Sequence, residues 1–216
     1  ERKNLIHKTK SAWLQTLAGL DHEEDDPGTV WNKEARERDK DRMSPRQAWR
    51  AIQDALPKDA IISSDIGNNC AIGNAYPTFE KGRKYLAPGL FGPCGYGFPA
   101  ILGAKIGCPD TPVVGFAGDG AFGISMNEMS SCAREEWPAI TMVIFRNYQW
   151  GAEKRNSILW FDDNFVGTEL DPELSYAKVA NACGLKGVTC KTMEETTKAI
   201  KQSCEDQKKG ITTFIE

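Results

Sequence analysis

From Ser44 onward, apolar and polar positions alternate in blocks whose lengths read as short buried strands separated by helices. Ser44-Pro45-Arg46-Gln47 has the form of a helix start. Ser caps, Pro at the first helical position lacks only a donor that would go unused, and Gln closes a capping box. Ala48, Ile52, Ala55 and Leu56 continue it as one apolar stripe, and Pro57 ends it. Ala60–Ser63 is a short apolar strand followed by the loop Asp65-Ile66-Gly67-Asn68-Asn69. Pro99–Ile106 predicts a helix packed closely through Ala100, Gly103 and Ala104. Pro112–Ala117 and Ile140–Phe145 predict two buried strands, the second apolar throughout, as parallel strands covered on both faces are. Ile124–Arg134 between them, then Ser175–Ala182 and Met193–Gln207, predict further helices, and Ile211–Ile215 opens a last strand. Such alternation predicts an α/β fold: a doubly wound, mainly parallel sheet with helices on both faces and right-handed crossovers.

Residues 1–43 break this pattern. Trp13, Leu14, Leu17 and Leu20 have the spacing of a helix end, but Asp21–Gly28 is acidic and Lys33–Arg42 is a dense charge run that reads as solvated. The expected organisation is therefore a connector from a preceding domain over 1–43 and one domain over 44–216. Because Ile211–Ile215 reads as a buried strand, that domain is expected to continue past it, truncated here at its C-terminus.

Composition narrows the function classes. The 216 residues carry a formal net charge of −3, which excludes a sequence-wide electrostatic grip on nucleic acid or anionic lipid. No apolar run approaches the roughly 18 residues of a membrane span. The seven cysteines form no CxxC pair, which argues against a disulfide framework or structural zinc and for a reducing, cytoplasmic setting. Both histidines, His7 and His22, precede the domain, so its chemistry uses no histidine base or ligand.

The chemistry concentrates at Gly118–Asn147. Gly118-Asp119-Gly120 follows a strand and leads through Ala121 toward a helix, the place where open α/β sheets bind ligands. Glycines there admit phosphate close to the backbone, and a helix N-terminus offers oriented N–H donors. Gly118, Gly120 and Gly123 also satisfy the dinucleotide fingerprint GxGxxG. Against that reading, Asp119 would repel the pyrophosphate unless a cation lay between them. The acidic residue that a dinucleotide site needs at the next strand end is missing too; Asn147 stands there, 28 positions after Asp119. That interval suits one loop, one helix and one return strand. Asp119 and Asn147 would then meet at neighbouring strand ends and, with a backbone carbonyl, offer Mg²⁺ half of an oxygen shell that a diphosphate and water complete.

This signature resembles that of the thiamine-diphosphate enzymes of the acetolactate-synthase superfamily, and further stretches match it over most of residues 44–216. Asp65-Ile66-Gly67-Asn68-Asn69 is similar to the diphosphate-contacting loop, with Asn68 and Asn69 as donors. Phe91-Gly92-Pro93-Cys94-Gly95-Tyr96-Gly97-Phe98-Pro99 resembles the segment under the cofactor's bent waist. The resemblance implies that the Gly92 carbonyl accepts the aminopyrimidine N–H and that Cys94 is the wedge between the rings, where many relatives carry Met or Leu. It also implies that the Gln149 carbonyl joins Asp119 and Asn147 on Mg²⁺, and that Gly118, Gly120, Ala121, Trp150 and Gly151 flank the cofactor. Pro93 and Tyr148 depart from the residues common in the superfamily.

Cys94 and the runs Asn147–Lys154, Phe165–Leu170 and Thr212–Glu216 resemble most a branch that converts sulfoacetaldehyde and phosphate to acetyl phosphate and sulfite. The resemblance further implies a homodimer or homotetramer of the full-length protein. The glutamate that activates the cofactor would come from an N-terminal domain of a partner subunit, so no catalytic residue is expected in this chain and no turnover from it alone. Glu128 and Glu135 read as ordinary helix residues. Lys105, Lys154 and Arg155 are candidates for a sulfonate or phosphate. A carboligase of 2-oxoacids in the same superfamily, and a non-catalytic cofactor- or nucleotide-binding module, stay open as alternatives.

Overall fold

Two stripes of apolar side chains, one on each face of a parallel sheet, carry this fold. The computed structural model describes residues 43, 45–74 and 84–216, within a compact unit from Met43 to Glu216. The expected connector, Met43 apart, and the Ser44 cap lie outside the described residues.

The elements are α1 (Pro45–Ala55), β1 (Ile61–Ser64), α2 (Asn68–Gly73), β2 (Lys84–Leu86), α3 (Gly97–Gly107), β3 (Val113–Gly118), α4 (Asp119–Ser125), a 3₁₀ turn (Met126–Glu128) and α5 (Met129–Cys132). They continue with β4 (Thr141–Phe145), α6 (Gly151–Trp160), α7 (Tyr176–Ala182), β5 (Lys186–Val188), α8 (Met193–Gln207) and β6 (Thr213–Ile215). The six strands run in the order β2-β1-β3-β4-β6-β5, every neighbouring pair parallel.

The period of two along each strand divides the core. Ile61, Val113, Ala117, Met142, Ile144 and Phe214 point to one face, under Phe98 and Ile101 of α3, Phe122 of α4, Met129 of α5 and Tyr176 of α7. Ile62, Val114, Phe116, Val143 and Ile215 point to the other, under Trp49 and Ile52 of α1 and Ile200 of α8. Full burial of each such side chain contributes about 1.5–3 kcal/mol, so both faces are needed. A buried glutamine trims the sheet: Gln207 of α8 donates to Val113 O (2.7 Å) and Thr141 Oγ1 (2.8 Å) and accepts from Val113 N (3.1 Å).

Three differences from the sequence reading matter. The helix expected over 124–134 begins at Asp119, because Gly118 in extended conformation serves as its cap, and it breaks into three short pieces. The edge strands β2 and β5 were not foreseen; each has three residues, includes Lys, and is only partly buried, as edge strands that resist pairing are. Helix α6 was missed because it buries no residue and so shows no apolar stripe.

Candidate functional site

Strand order reverses between β1 and β3, so the crevice beyond their C-terminal ends is where such a sheet receives a ligand. Three connections leave that edge: 65–67 from β1 into α2, the direct step from Gly118 of β3 to Asp119 of α4, and 146–150 from β4 into α6. Register places Gly118 opposite Phe145, which brings Asp119 beside the chain two residues further along β4's exit.

Asp119 is 3% exposed. Its Oδ2 accepts from the backbone N–H of Asn147 (3.1 Å) and Tyr148 (2.6 Å), and its Oδ1 from Gly120 (3.1 Å). Burial pushes its pKa above the usual carboxylate value, and these N–H groups pull it part of the way back.

The side-chain oxygen of Asn147 lies 2.9 Å from the Gln149 carbonyl oxygen and 3.2 Å from Asp119 Oδ1. It accepts the Gln149 N–H (3.3 Å), and oxygens this close still repel unless a cation lies among them. With no cation, the amide turned the other way would donate to both neighbours; with one, the oxygen is the correct end. Adjacent ligands of an octahedral Mg²⁺ with bonds of about 2.0–2.1 Å are about 2.8–3.0 Å apart, close to these spacings. Among the described residues no three His, Cys, Asp or Glu side chains cluster for a metal; the donor set is one carboxylate and two amide oxygens, a hard set suited to Mg²⁺ rather than zinc.

The loop after β4 is held in this shape from several sides. Tyr148 has φ 62°, a left-handed conformation for a residue with a bulky side chain. The guanidinium of Arg146 stands 4.5 Å over the Tyr148 ring, pairs with Glu216 (2.8 Å) and donates to Pro172 O (2.6 Å). Glu216 also accepts from Ser175 Oγ and Ala177 N. On the opposite side Gln149 bridges Glu169, and Trp150 N donates to Thr168 O (2.8 Å). Tyr176 donates its hydroxyl to Asp119 O (2.8 Å). Asp65, Tyr176, Arg146 and Glu216 are structural participants to which the sequence assigns no role, although Asp65 and Glu216 lie in runs that carry the resemblance.

Glycines at this edge are needed for space. A Cβ on Gly151 would stand 2.9 Å from Asn147 Nδ2 and 3.2 Å from Asn68 Nδ2, so both amides converge there. A Cβ on Gly120 would meet the Trp150 ring at 2.8 Å; Trp150 is a half-buried flank of the Asp119 turn. Ala121 is buried within α4. Asn69 differs from its expected donor role: its Nδ2 is directed inward to Asp65 O (3.2 Å) and Ser64 Oγ (3.4 Å), and its oxygen faces Gly118. A Cβ on Gly92 (φ 57°) would come within 3.4 Å of the Ile66 side chain, and Cys94 is exposed in the same segment.

The candidate anion binders fare differently. Lys105 is excluded: it is buried in the last turn of α3, at the other end of the strands, and donates to Thr111 O (2.9 Å). Lys154 pairs with Glu169 (2.5 Å) and stands 5.1 Å over the Phe165 ring; Arg155 is exposed. Glu128 accepts from Asn127 and Ser131 of its own turn. All seven cysteines are free, and burial pushes the Cys132 thiol up to about 12. No helix of the described residues is long and apolar enough to cross a membrane.

Known proteins are similar to this chain in sequence and fold. The chain is 76% identical over its whole length to a probable sulfoacetaldehyde acetyltransferase of Rhizobium meliloti, and 73% identical to a sulfoacetaldehyde acetyltransferase of Roseovarius nubinhibens. It spans 36% of each relative's length. A solved structure, the thiamine diphosphate-dependent 4-hydroxybenzoylformate decarboxylase of Rhodococcus jostii RHA1, shares the fold with a TM-score of 0.73 at 24% identity, over 82% of this chain and 32% of that one. Residues 65–216 match the family described as thiamine pyrophosphate enzyme, C-terminal TPP binding domain, and the chain belongs to that family.

Proposed function

We propose that this chain is the diphosphate- and Mg²⁺-binding domain of a thiamine-diphosphate-dependent acetyltransferase that converts sulfoacetaldehyde and phosphate to acetyl phosphate and sulfite. The observation that carries the metal site is the Asn147 side-chain oxygen 2.9 Å from Gln149 O and 3.2 Å from Asp119 Oδ1, each spacing close to an octahedral edge. The relatives' names support the substrate.

Asp119, Asn147 and Gln149 would hold Mg²⁺ through their oxygens together with the diphosphate. Gly118, Gly120, Ala121 and Gly151 give the diphosphate close access to backbone, and Asn68 donates to it. Gly92 and Cys94 meet the ring end. When bound, thiamine diphosphate supplies carbanion chemistry toward a carbonyl substrate. Burial disfavours the ionised form of the Asp119 carboxyl, and a cation held there would favour it. The activating glutamate comes from a separate domain of a partner subunit in a cytoplasmic homo-oligomer, and this chain alone has no turnover.

The test is acetyl phosphate formation by the full-length protein from sulfoacetaldehyde, phosphate, thiamine diphosphate and Mg²⁺. Product should form, and should vanish when Mg²⁺ is chelated. Acetolactate from pyruvate, with no acetyl phosphate from sulfoacetaldehyde, would overturn the reading.

A further inference from the structure

The carboxylate of Asp65 is fully buried at the end of β1, takes no part in holding the cation, and pairs with no Lys, Arg or His among the described residues. Such a group is costly to bury unless its lone pairs are filled. They are filled by backbone N–H groups: Ile66 (2.9 Å) and Gly95 (3.0 Å) donate to Oδ1, and Gly97 (2.7 Å) to Oδ2. Burial pushes its pKa up and these bonds oppose the rise.

Two of the three donors belong to a segment that needs outside support. Gly92–Gly97 contains left-handed glycines at 92 (φ 57°) and 95 (φ 86°), and glycine leaves such backbone loose. Its ties run to the end of β1. Asp65 takes Gly95 and Gly97, Ser63 Oγ donates to Gly97 O (2.7 Å), and a Cβ on Gly92 would come within 3.4 Å of the Ile66 side chain. Asp65 is itself anchored, its N–H donating to Phe116 O (2.7 Å) on β3. Asp119 hangs from a different set of bonds.

We propose that Asp65 is a positioning residue that fixes Gly92–Gly97 against β1, setting the place of the Gly92 carbonyl and Cys94 for the ring end of thiamine diphosphate without contributing to the cation–diphosphate anchor. This rests on the cofactor reading above. It separates two halves of one site by which carboxylate organises each.

The test compares two ligands on the full-length protein by titration calorimetry: Mg²⁺ with thiamine diphosphate, and Mg²⁺ with inorganic pyrophosphate, which has no rings. Asp65→Asn keeps the size but turns an N–H₂ toward one of the backbone donors. Thiamine diphosphate affinity should fall about tenfold or more, as loss of a hydrogen bond to a charged group does, with pyrophosphate affinity unchanged within about twofold. Ser63→Ala, which removes only one tie to Gly97, should show the same selectivity at about threefold, and decides the matter should Asp65→Asn fail to fold. Equal loss of both ligands, or unchanged thiamine diphosphate affinity, would overturn the proposal. Failure of the unaltered protein to bind thiamine diphosphate would instead overturn the cofactor reading on which it stands.

Discussion

Asp119→Ala should abolish the Mg²⁺-dependent thermal stabilisation that thiamine diphosphate gives the full-length protein. Ligand at about 100 times its dissociation constant adds roughly 2.7 kcal/mol to a protein that binds it only when folded. The substitution removes one of the three clustered oxygens and the only negative charge among them, leaving two neutral amide oxygens that a hydrated divalent ion has little reason to prefer over water. It also releases the N–H groups of Asn147 and Tyr148 that shape the loop. The unliganded protein should change less. Desolvation of the carboxylate and its N–H bonds oppose one another, as the direction and causes of its pKa shift express. Thermal melts with and without Mg²⁺ and cofactor measure this, and a full ligand shift retained in Asp119→Ala would defeat the assignment.

Phe122→Ala should produce the largest loss of intrinsic stability near the site. Phe122 is fully buried three residues past Asp119, with ring centroids 5.4 Å from Phe98, 5.1 Å from Tyr176 and 5.9 Å from Phe214. Truncating such a ring in a core costs about 3–5 kcal/mol. Here the cavity would open beneath α4 and beside the Tyr176 hydroxyl that holds Asp119 O, so cofactor affinity should fall as well. Phe122→Leu should recover most of the stability because it refills most of the volume. Urea unfolding midpoints report the effect; a loss below about 1 kcal/mol would mean that this cluster does not support the site.

The sequence was most informative where burial and periodicity coincide. The apolar runs Pro112–Ala117 and Ile140–Phe145 correspond to β3 and β4, and the stripe of Ala48, Ile52, Ala55 and Leu56 is the buried side of α1. The 28-residue step from Asp119 to Asn147 was legible because a strand end, a helix and a return strand have fixed lengths, and the structure does place the two side by side. What was not legible has a physical reason in each case. β2 and β5 are too short and too polar to leave a pattern. α6 has no buried face. The inward direction of Asn69 and the surroundings of Lys105 depend on bonds made four to six residues away, to Ser64 and Asp65 in one case and Thr111 in the other, whose geometry the residue pattern does not encode. Asp65 and Glu216 gave no signal as lone carboxylates, because their partners are backbone groups and an arginine many residues away.

Diffraction from the full-length protein with Mn²⁺ in place of Mg²⁺, together with thiamine diphosphate, locates the ion through its anomalous signal. The ion should lie within coordination distance of Asp119 Oδ1, Asn147 Oδ1 and Gln149 O at once, with diphosphate oxygens on its remaining positions. An ion bound elsewhere, or a diphosphate seated at this edge with no ion touching Asp119, would contradict the account.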